Sequence, residues 1–204
     1  MTLHAVGHAR WVGHVNGVNA PKALRGWLTD TMSLTMKLMQ HSRRFRVRKL
    51  SQQRGFCLAD EWSEVALPRR VHVQEREVLL LCDERPVVYA HTIVPLDATA
   101  SDWPFFGRLG ERSLGTTLFG DPRVERGELQ YARLRAQHPL ARRAQVAVGS
   151  TAVASPLFAR RCLYRRRNGN LLVTELFLPS ILELISPQLA SESGDLKLNK
   201  QNNR

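Results

Sequence analysis

The strongest structural signal in this sequence is the stretch VHVQEREVLLLCDERPVVYAHTIV, residues 71–94. It contains two runs rich in aliphatic and β-branched side chains, residues 71–82 and 87–94, separated by a short polar connection at residues 83–86. Such an arrangement is typical of two antiparallel strands joined by a tight turn. We therefore predict a β-hairpin at this point in the chain.

A second hairpin is predicted towards the C-terminus. Residues 158–165 and 171–178 are rich in apolar side chains, and they flank Asn168 and Gly169, which tolerate the positive φ angles of tight turns. Residues 124–135 are expected to supply a further strand. Strands joined by hairpins rather than by helices form antiparallel sheets, so we expect one such sheet here.

The remaining segments predict helices and loops around this sheet. Alternating side chains at residues 44–50 indicate another strand, which we expect to end in a turn at residues 54–55. Apolar residues at helical spacing indicate two helical pieces separated near Asp30, the second capped by Ser33. Residues 95–120 are expected to form short helices and loops over the sheet. The predicted fold class is therefore α+β, with helices packed on a single antiparallel sheet.

Length and composition indicate one cytoplasmic domain. The chain has 204 residues, 43% of them hydrophobic, which suits a single domain with a substantial core. Its three cysteines form no CxxC pair, as expected of core side chains in a reducing compartment. Stable membrane insertion is not expected, because no apolar run approaches roughly 20 residues. We expect an irregular lead-in at residues 1–20, a domain at residues 21–185 and a disordered polar tail at residues 186–204, in a monomeric protein.

Two charged residues occupy otherwise apolar rows of these strands. Alternation places Arg76 on the same strand face as Val78. It places Glu175 between Val173 and Phe177 on an apolar stripe. An unpaired charge is strongly disfavoured there, so Glu175 needs a partner or a raised pKa. The plainer interpretation is that the two side chains pair with each other or with backbone groups, and the alternative is that they bind a ligand.

Other classes of site find little support in the sequence. His72, His91 and His138 lack the spacing of metal ligands, so we predict no metal site. No glycine-rich segment has the setting of a phosphate-binding loop, so no nucleotide cofactor is expected. The net charge of +12 favours anionic partners, but the dispersed arginine clusters predict a solvated basic face rather than a nucleic-acid groove. These clusters lie at residues 43–48, 142–143, 160–161 and 165–167.

Several segments, taken in order, resemble the chorismate lyase family. They are Ser33-Leu34-Thr35, Arg76-Glu77-Val78-Leu79-Leu80, Thr92-Ile93-Val94-Pro95, Leu114-Gly115 with Leu118-Phe119, and Thr174-Glu175-Leu176-Phe177-Leu178-Pro179. The resemblance covers about residues 24–184. It implies an enzyme without cofactors that splits chorismate into 4-hydroxybenzoate and pyruvate, the first committed step of ubiquinone biosynthesis. The implied fold is a strongly curved sheet with loop flaps over an internal ligand pocket.

The resemblance also implies roles for individual residues. Arg76 would bind the ring carboxylate, and Glu175 would face the 4-hydroxyl group as a polarising group or general base. Leu34 and Leu114 would line the pocket. Two positions depart from the familiar pattern, because Leu34 stands where methionine is better known and His91 where arginine is. If that arginine binds the second carboxylate or guides product out, His91 would make a weaker, pH-sensitive contact.

Two further functions stay open at this point. A related fold serves as the effector-sensing domain of some transcription regulators, so a non-catalytic module that binds a small aromatic acid would share the pocket. No DNA-binding segment is evident beside it in the sequence. A basic RNA-binding protein is the other alternative, favoured by the charge but lacking aromatic stacking motifs.

Overall fold

The two predicted hairpins are confirmed, and they lie side by side in one sheet. The computed structural model describes residues 8–149 and 156–184, so the predicted tail lies outside the described residues. The strands are β1 (Phe45–Phe56), β2 (His72–Cys82), β3 (Arg85–Pro95), β4 (Val124–Leu134), β5 (Leu157–Arg166) and β6 (Gly169–Phe177). They form a sheet in the order β1-β2-β3-β6-β5-β4, with every adjacent pair antiparallel. The predicted α+β class is therefore confirmed.

Short helices surround this sheet. They are α1 (Lys22–Leu28), α2 (Leu34–Gln40), α3 (Ala98–Ser101), α4 (Leu114–Gly120) and α5 (Pro139–Val148), with 3-10 helices at Val15–Val18, Phe106–Arg108 and Pro179–Leu184. The predicted break between α1 and α2 is confirmed, and the Ser33 side chain caps α2 by accepting a hydrogen bond from the Met36 amide. None of the helices in the described ranges has the length and apolar character that a bilayer crossing requires.

Helix α5 was not predicted, although its ends carry recognisable signals. The His138 side chain caps its first turn, and Pro139 occupies the first helical position. Gly149 follows the last turn with a φ of 70°, the left-handed conformation that favours glycine. These three residues mark the boundaries of the helix, whose buried residues Leu140, Ala141 and Ala144 follow helical spacing.

The sheet is covered on both faces. Its first face packs beneath α1, α2 and α4, and its second face packs beneath α5 and the segment that follows β1. Buried first-face residues include Val47, Val78, Leu80, Val88, Val94, Leu171 and Phe177. Buried second-face residues include Leu79, Leu81, Tyr89, Leu134, Leu157 and Leu176. Register shifts in the β1–β2, β2–β3 and β4–β5 pairings are irregularities of the kind that bend a sheet.

Two turn predictions were wrong in detail. Arg54 and Gly55 do not form a turn, because β1 continues to Phe56 and pairs with β2 along that whole stretch. A Cβ atom on Gly55 would lie 2.2 Å from the Glu75 carboxyl carbon, so glycine makes room for the end of that side chain.

In the second hairpin, the two turn residues are Arg167 and Asn168 rather than Asn168 and Gly169. Arg167 is the residue with positive φ, at 55°, while Gly169 begins β6 and pairs with Arg166. A Cβ atom on Gly169 would lie 2.5 Å from the Cβ atom of Asp102. Glycine therefore serves packing against the 98–103 segment at this position, not the turn.

The second face of the sheet buries a cluster of charged groups behind β2 and β3. His91 places its Nε2 atom 3.2 Å from Glu61 and its Nδ1 atom 3.5 Å from Glu77, and Arg143 of α5 lies 2.6 Å from Glu77. Burial by itself lowers the pKa of His91, but the carboxylates of Glu61 and Glu77 outweigh burial and raise that pKa to about 9. Burial by itself raises the pKa of Glu77, yet the nearby His91 and Arg143 side chains lower it to about 2. The histidine is therefore a buried cation at neutral pH.

We predict opposite effects of alanine at two glycines. Gly169→Ala forces the new methyl group against buried Asp102, so we expect a loss of about 1–3 kcal/mol in the free energy of unfolding. Gly26→Ala lies inside α1 with open space around the new atom, so we expect a gain of up to about 1 kcal/mol. Urea unfolding measures both. Equal effects of the two substitutions would contradict the packing role of Gly169.

We also predict that His91 makes stability fall at alkaline pH. Its pKa is raised on folding, so its contribution is fully present below about pH 6.5 and is lost as the pH rises through about 9. On the order of 3 kcal/mol is at stake, at 1.36 kcal/mol per pKa unit. Urea unfolding over this range should give a steeper decline in the natural protein than in His91→Gln. Parallel declines in the two proteins would show that His91 does not titrate in this way.

Candidate active site

A cavity lies between the first face of the sheet and the N-terminal turns of α2 and α4. Its volume is about 650 Å³, counting the opening to solvent. Four of the five residues predicted for the site line it, namely Arg76, Glu175, Leu34 and Leu114. Its apolar wall comes from the strands and includes Val47, Val78, Leu80, Ala90 and Val173. A concave apolar space with a few polar groups is the usual setting for a small ligand.

The first turns of α2 and α4 meet at the edge of the cavity. The side-chain oxygens of Thr35 and Ser113 are 2.6 Å apart and form a hydrogen bond between the two segments. A Cβ atom on Gly115 would lie 3.0 Å from the Thr35 oxygen, so glycine permits this close approach. Leu34 and Leu114, the first residues of the two helices, are buried beneath this contact. Two short helices therefore cover the ligand space, as the flaps of the resemblance would.

Arg76 is a buried cation that reaches the cavity from β2. Arg76 lies opposite Thr92 in the pairing of β2 with β3, and Thr92 also lines the cavity. One terminal nitrogen, Nη2, donates to the carbonyl oxygens of Gly110 and Arg112, at 3.0 and 2.9 Å. Its buried Nε atom has no hydrogen-bond acceptor among the described residues. Burial lowers the pKa of Arg76 to about 10, so the guanidinium still carries its charge at neutral pH.

Glu175 reaches the same cavity from β6, where it forms an ion pair with Arg160. The two residues face each other across β5 and β6, and Arg160 Nε donates to Glu175 Oε2 over 2.5 Å. Arg160 is only 3% exposed. Its Nη1 atom donates to three carbonyl oxygens at the end of α1 and just beyond it. These belong to Trp27, Leu28 and Asp30.

The structure decides between the sequence-based possibilities for the two misplaced charges. Arg76 bonds to backbone carbonyls, and Glu175 bonds to Arg160, so the direct pairing of Arg76 with Glu175 was wrong. Both side chains also line the cavity, so their partners do not remove them from contact with a ligand. The arrangement sets a cation with an open N–H group and an oriented carboxylate into one apolar space.

Two further arginines line the cavity but were not predicted from the sequence, Arg160 and Arg126. The interpretation of the arginines at residues 160–161 and 165–167 as a solvated face is wrong for Arg160, Arg161 and Arg166, which are 3–5% exposed and hydrogen bonded. The alternation of β5 carried the missing signal, because it places Arg160 on the same face as Cys162 and Tyr164.

His91 does not reach the cavity, so the structure does not support its predicted contact with substrate. Its neighbours Ala90 and Thr92 line the cavity, and successive side chains of a strand point to opposite faces. His91 consequently pairs across the sheet with Glu77 and lies on the second face. Any residue at this position, arginine included, would project to that side.

The sulfur and phenol groups of the cavity remain protonated at neutral pH. Burial raises the pKa of the Cys162 thiol and of the Tyr164 hydroxyl.

Away from the cavity, Glu75, Glu77 and His91 have atoms that could bind a metal ion, and these atoms lie within 4.8 Å of one another. Arg143 already bonds to both carboxylates, so this group is an ion-pair network in the structure as it stands.

Comparison with known proteins bears directly on this geometry. A family model described as "Chorismate lyase" matches residues 6–185. A "Probable chorismate pyruvate-lyase" from Cupriavidus metallidurans is 44% identical over 187 residues, which cover 91% of this chain and 87% of the relative. Another of the same name, from Ralstonia nicotianae, is 45% identical over 180 residues, 85% of this chain and 92% of the relative.

A solved structure shares the fold without close sequence similarity. The crystal structure of PhnF from Mycobacterium smegmatis superposes with a TM-score of 0.52 at 14% identity, covering 74% of this chain and 66% of PhnF. At this identity the likeness concerns the fold alone. The family match spans the sheet, both short flap helices and all the cavity residues described above, and the chain belongs to the chorismate lyase family.

Proposed function

We propose that this protein eliminates pyruvate from chorismate to give 4-hydroxybenzoate. The observation that carries the proposal is the cavity in which the buried Arg76 guanidinium keeps an open N–H group while Glu175 is held by Arg160. Membership of the chorismate lyase family and the names of its relatives support the same reaction. The enzyme would be a carbon–oxygen lyase.

The proposed reaction requires correct positioning of the substrate more than strong acid or base catalysis. Chorismate is a dianion with a non-aromatic diene ring. The C3–O bond to the enolpyruvyl group breaks, the C4 proton leaves, and the ring becomes aromatic with its 4-hydroxyl retained. The departing enolpyruvate takes up a proton and becomes pyruvate, so the two products contain all the atoms of the substrate. Because aromatisation drives the reaction, an enzyme gains most by fixing the ring and excluding water.

The proposed roles follow from the side-chain geometry. Arg76 would hold the ring carboxylate through its open N–H groups, because a guanidinium can bind a carboxylate at two points. The Glu175 carboxylate, fixed by Arg160, would accept a hydrogen bond from the 4-hydroxyl and polarise C4 as its proton leaves. Leu34 and Leu114 would cover the ring and keep water out.

Three finer statements belong to the same proposal. We place the reaction at the first committed step of ubiquinone biosynthesis, as is implied for the family. A cytoplasmic location is supported by three cysteines that are buried and unpaired, as in proteins of reducing compartments. We also propose that the protein is a monomer, as was expected from the sequence.

The proposed reaction is tested by incubating the purified protein with chorismate in the absence of added metal or cofactor. We expect equimolar 4-hydroxybenzoate, followed by absorbance, and pyruvate, followed through a coupled lactate dehydrogenase reaction. Tight binding of 4-hydroxybenzoate without any turnover would overturn the lyase proposal and indicate a sensor of aromatic acids.

Substitutions should separate binding from turnover. Arg76→Ala removes the carboxylate partner, so we expect a higher KM and weaker 4-hydroxybenzoate binding, by about 2–4 kcal/mol. Glu175→Gln keeps the shape but removes the charge, so we expect mainly a lower kcat. Steady-state kinetics and product titrations measure these effects. Arg54→Ala, at an exposed arginine of β1, is the control, and near-natural kinetics in either test variant would remove that residue from the site.

A further inference from the structure

The cavity contains an arginine that the roles above leave unused. Arg126 projects from β4 into the lining, on the side opposite β2 in strand order. Its Nη1 atom donates to the carbonyl oxygen of Thr31, just before α2, and its guanidinium carbon lies 5.5 Å from the centre of the Phe119 ring in α4. Both flap segments therefore hold this side chain in place.

The Nε atom of Arg126 is buried and has no hydrogen-bond acceptor among the described residues. Leaving a guanidinium N–H group unpaired in a buried position is costly, and the cost is relieved when an anion binds. The neighbouring Cys162 thiol offers little, since its sulfur is a weak acceptor and its hydrogen is directed to the Gly127 carbonyl. Arg126 therefore keeps a buried donor that no acceptor of the described residues satisfies.

The charges of the cavity indicate how many anionic groups it accepts. It is lined by three arginines and one glutamate, and the glutamate is paired with Arg160. Arg76 and Arg126 remain without a carboxylate partner in the described residues, and each has one buried, unpaired Nε atom. Two cations with open donors in one apolar cavity match a ligand with two carboxylates better than a ligand with one.

The position of Arg126 relative to Glu175 indicates which carboxylate of chorismate Arg126 would bind. Arg126 and Glu175 line the same cavity from β4 and β6, two strands that are separated only by β5. Burial by itself lowers the pKa of Arg126, but Tyr164, Cys162 and Glu175 together outweigh burial and raise that pKa. In chorismate the enolpyruvyl ether is attached at C3, next to the C4 hydroxyl that Glu175 would face. The enolpyruvyl carboxylate then falls at the Glu175 end of the cavity, away from the ring carboxylate.

We propose that Arg126 binds the enolpyruvyl carboxylate and makes the site selective for the dianionic substrate over the monoanionic product. The proposal rests on the proposed function for the identity of the substrate. Elimination separates the two carboxylates onto different products. The aromatic product keeps its contact with Arg76 and loses the contact with Arg126, so Arg126 stabilises the bound substrate without strengthening retention of 4-hydroxybenzoate.

The test compares one dianion and one monoanion in matched variants. The probes are 3-(carboxymethoxy)-4-hydroxybenzoate, which carries a second carboxylate on an ether at the chorismate position, and 4-hydroxybenzoate. Arg126→Gln should raise the Kd of the dianion and the KM for chorismate, each by about 10- to 100-fold. This is the effect of losing one charged hydrogen-bonding contact. It should leave the Kd of 4-hydroxybenzoate within about threefold, well inside 1 kcal/mol. Calorimetric titration gives both constants.

Two controls make the result specific. Arg126→Lys keeps the charge and should restore part of the dianion affinity, whereas Arg133→Gln removes an exposed arginine from the same strand and should change neither probe. The assignment would be overturned if Arg126→Gln weakened the binding of both probes equally, or if it weakened the binding of neither. A natural protein that binds the dianion through Arg126 but makes no pyruvate would refute the lyase reaction while supporting the subsite. Turnover that Arg126→Gln leaves unchanged would support the lyase reaction and refute the subsite.

Discussion

The ion pair between Arg160 and Glu175 is the interaction on which the rest of the cavity depends. It places two opposite charges 2.5 Å apart on a largely apolar sheet face, where each compensates the other. The same guanidinium also binds the carbonyl oxygens where α1 ends, so it fixes the start of the chain that leads into α2. One side chain thus orients the acidic group of the cavity and anchors the approach to one of its covers. Removing the Glu175 carboxylate would leave the buried charge of Arg160 without its anion, whereas removing Arg160 would leave a carboxylate that is partly exposed.

Strand β2 shows how one sequence serves two chemical environments. Arg76 points to the cavity, while Glu75 and Glu77 on either side of it point to the opposite face. The carboxylates there are neutralised by His91 and Arg143, and the layer of backbone keeps them away from the ligand space. Without that separation, two nearby anions would compete with a bound carboxylate for Arg76. The buried network of the second face therefore preserves the positive potential of the first.

The sequence predicted those parts of the molecule that local patterns determine. Period-two alternation identified both hairpins and two of the four charged residues that line the cavity, Arg76 and Glu175. It could not identify Arg160 as the partner of Glu175, because that choice depends on the register between β5 and β6. Arg126 was equally hidden, since a register shift interrupts β4 just after it. The side of His91 was hidden for the same reason, because it follows from the pairing of Glu77 with His91, in a hairpin whose register shifts between Leu80 and Leu81. Its expected role came from the family resemblance alone.

The covers of the cavity are built differently from its floor. Helices α2 and α4 have seven residues each, a length at which an isolated helix is unstable in water. They meet through the hydroxyl groups of Thr35 and Ser113, a neutral hydrogen bond with a net contribution of about 1 kcal/mol. The floor, in contrast, is a fully paired six-stranded sheet. The covers are therefore expected to unfold locally more easily than the floor, so the amide hydrogens of both helices should exchange with solvent long before those of the strands beneath them.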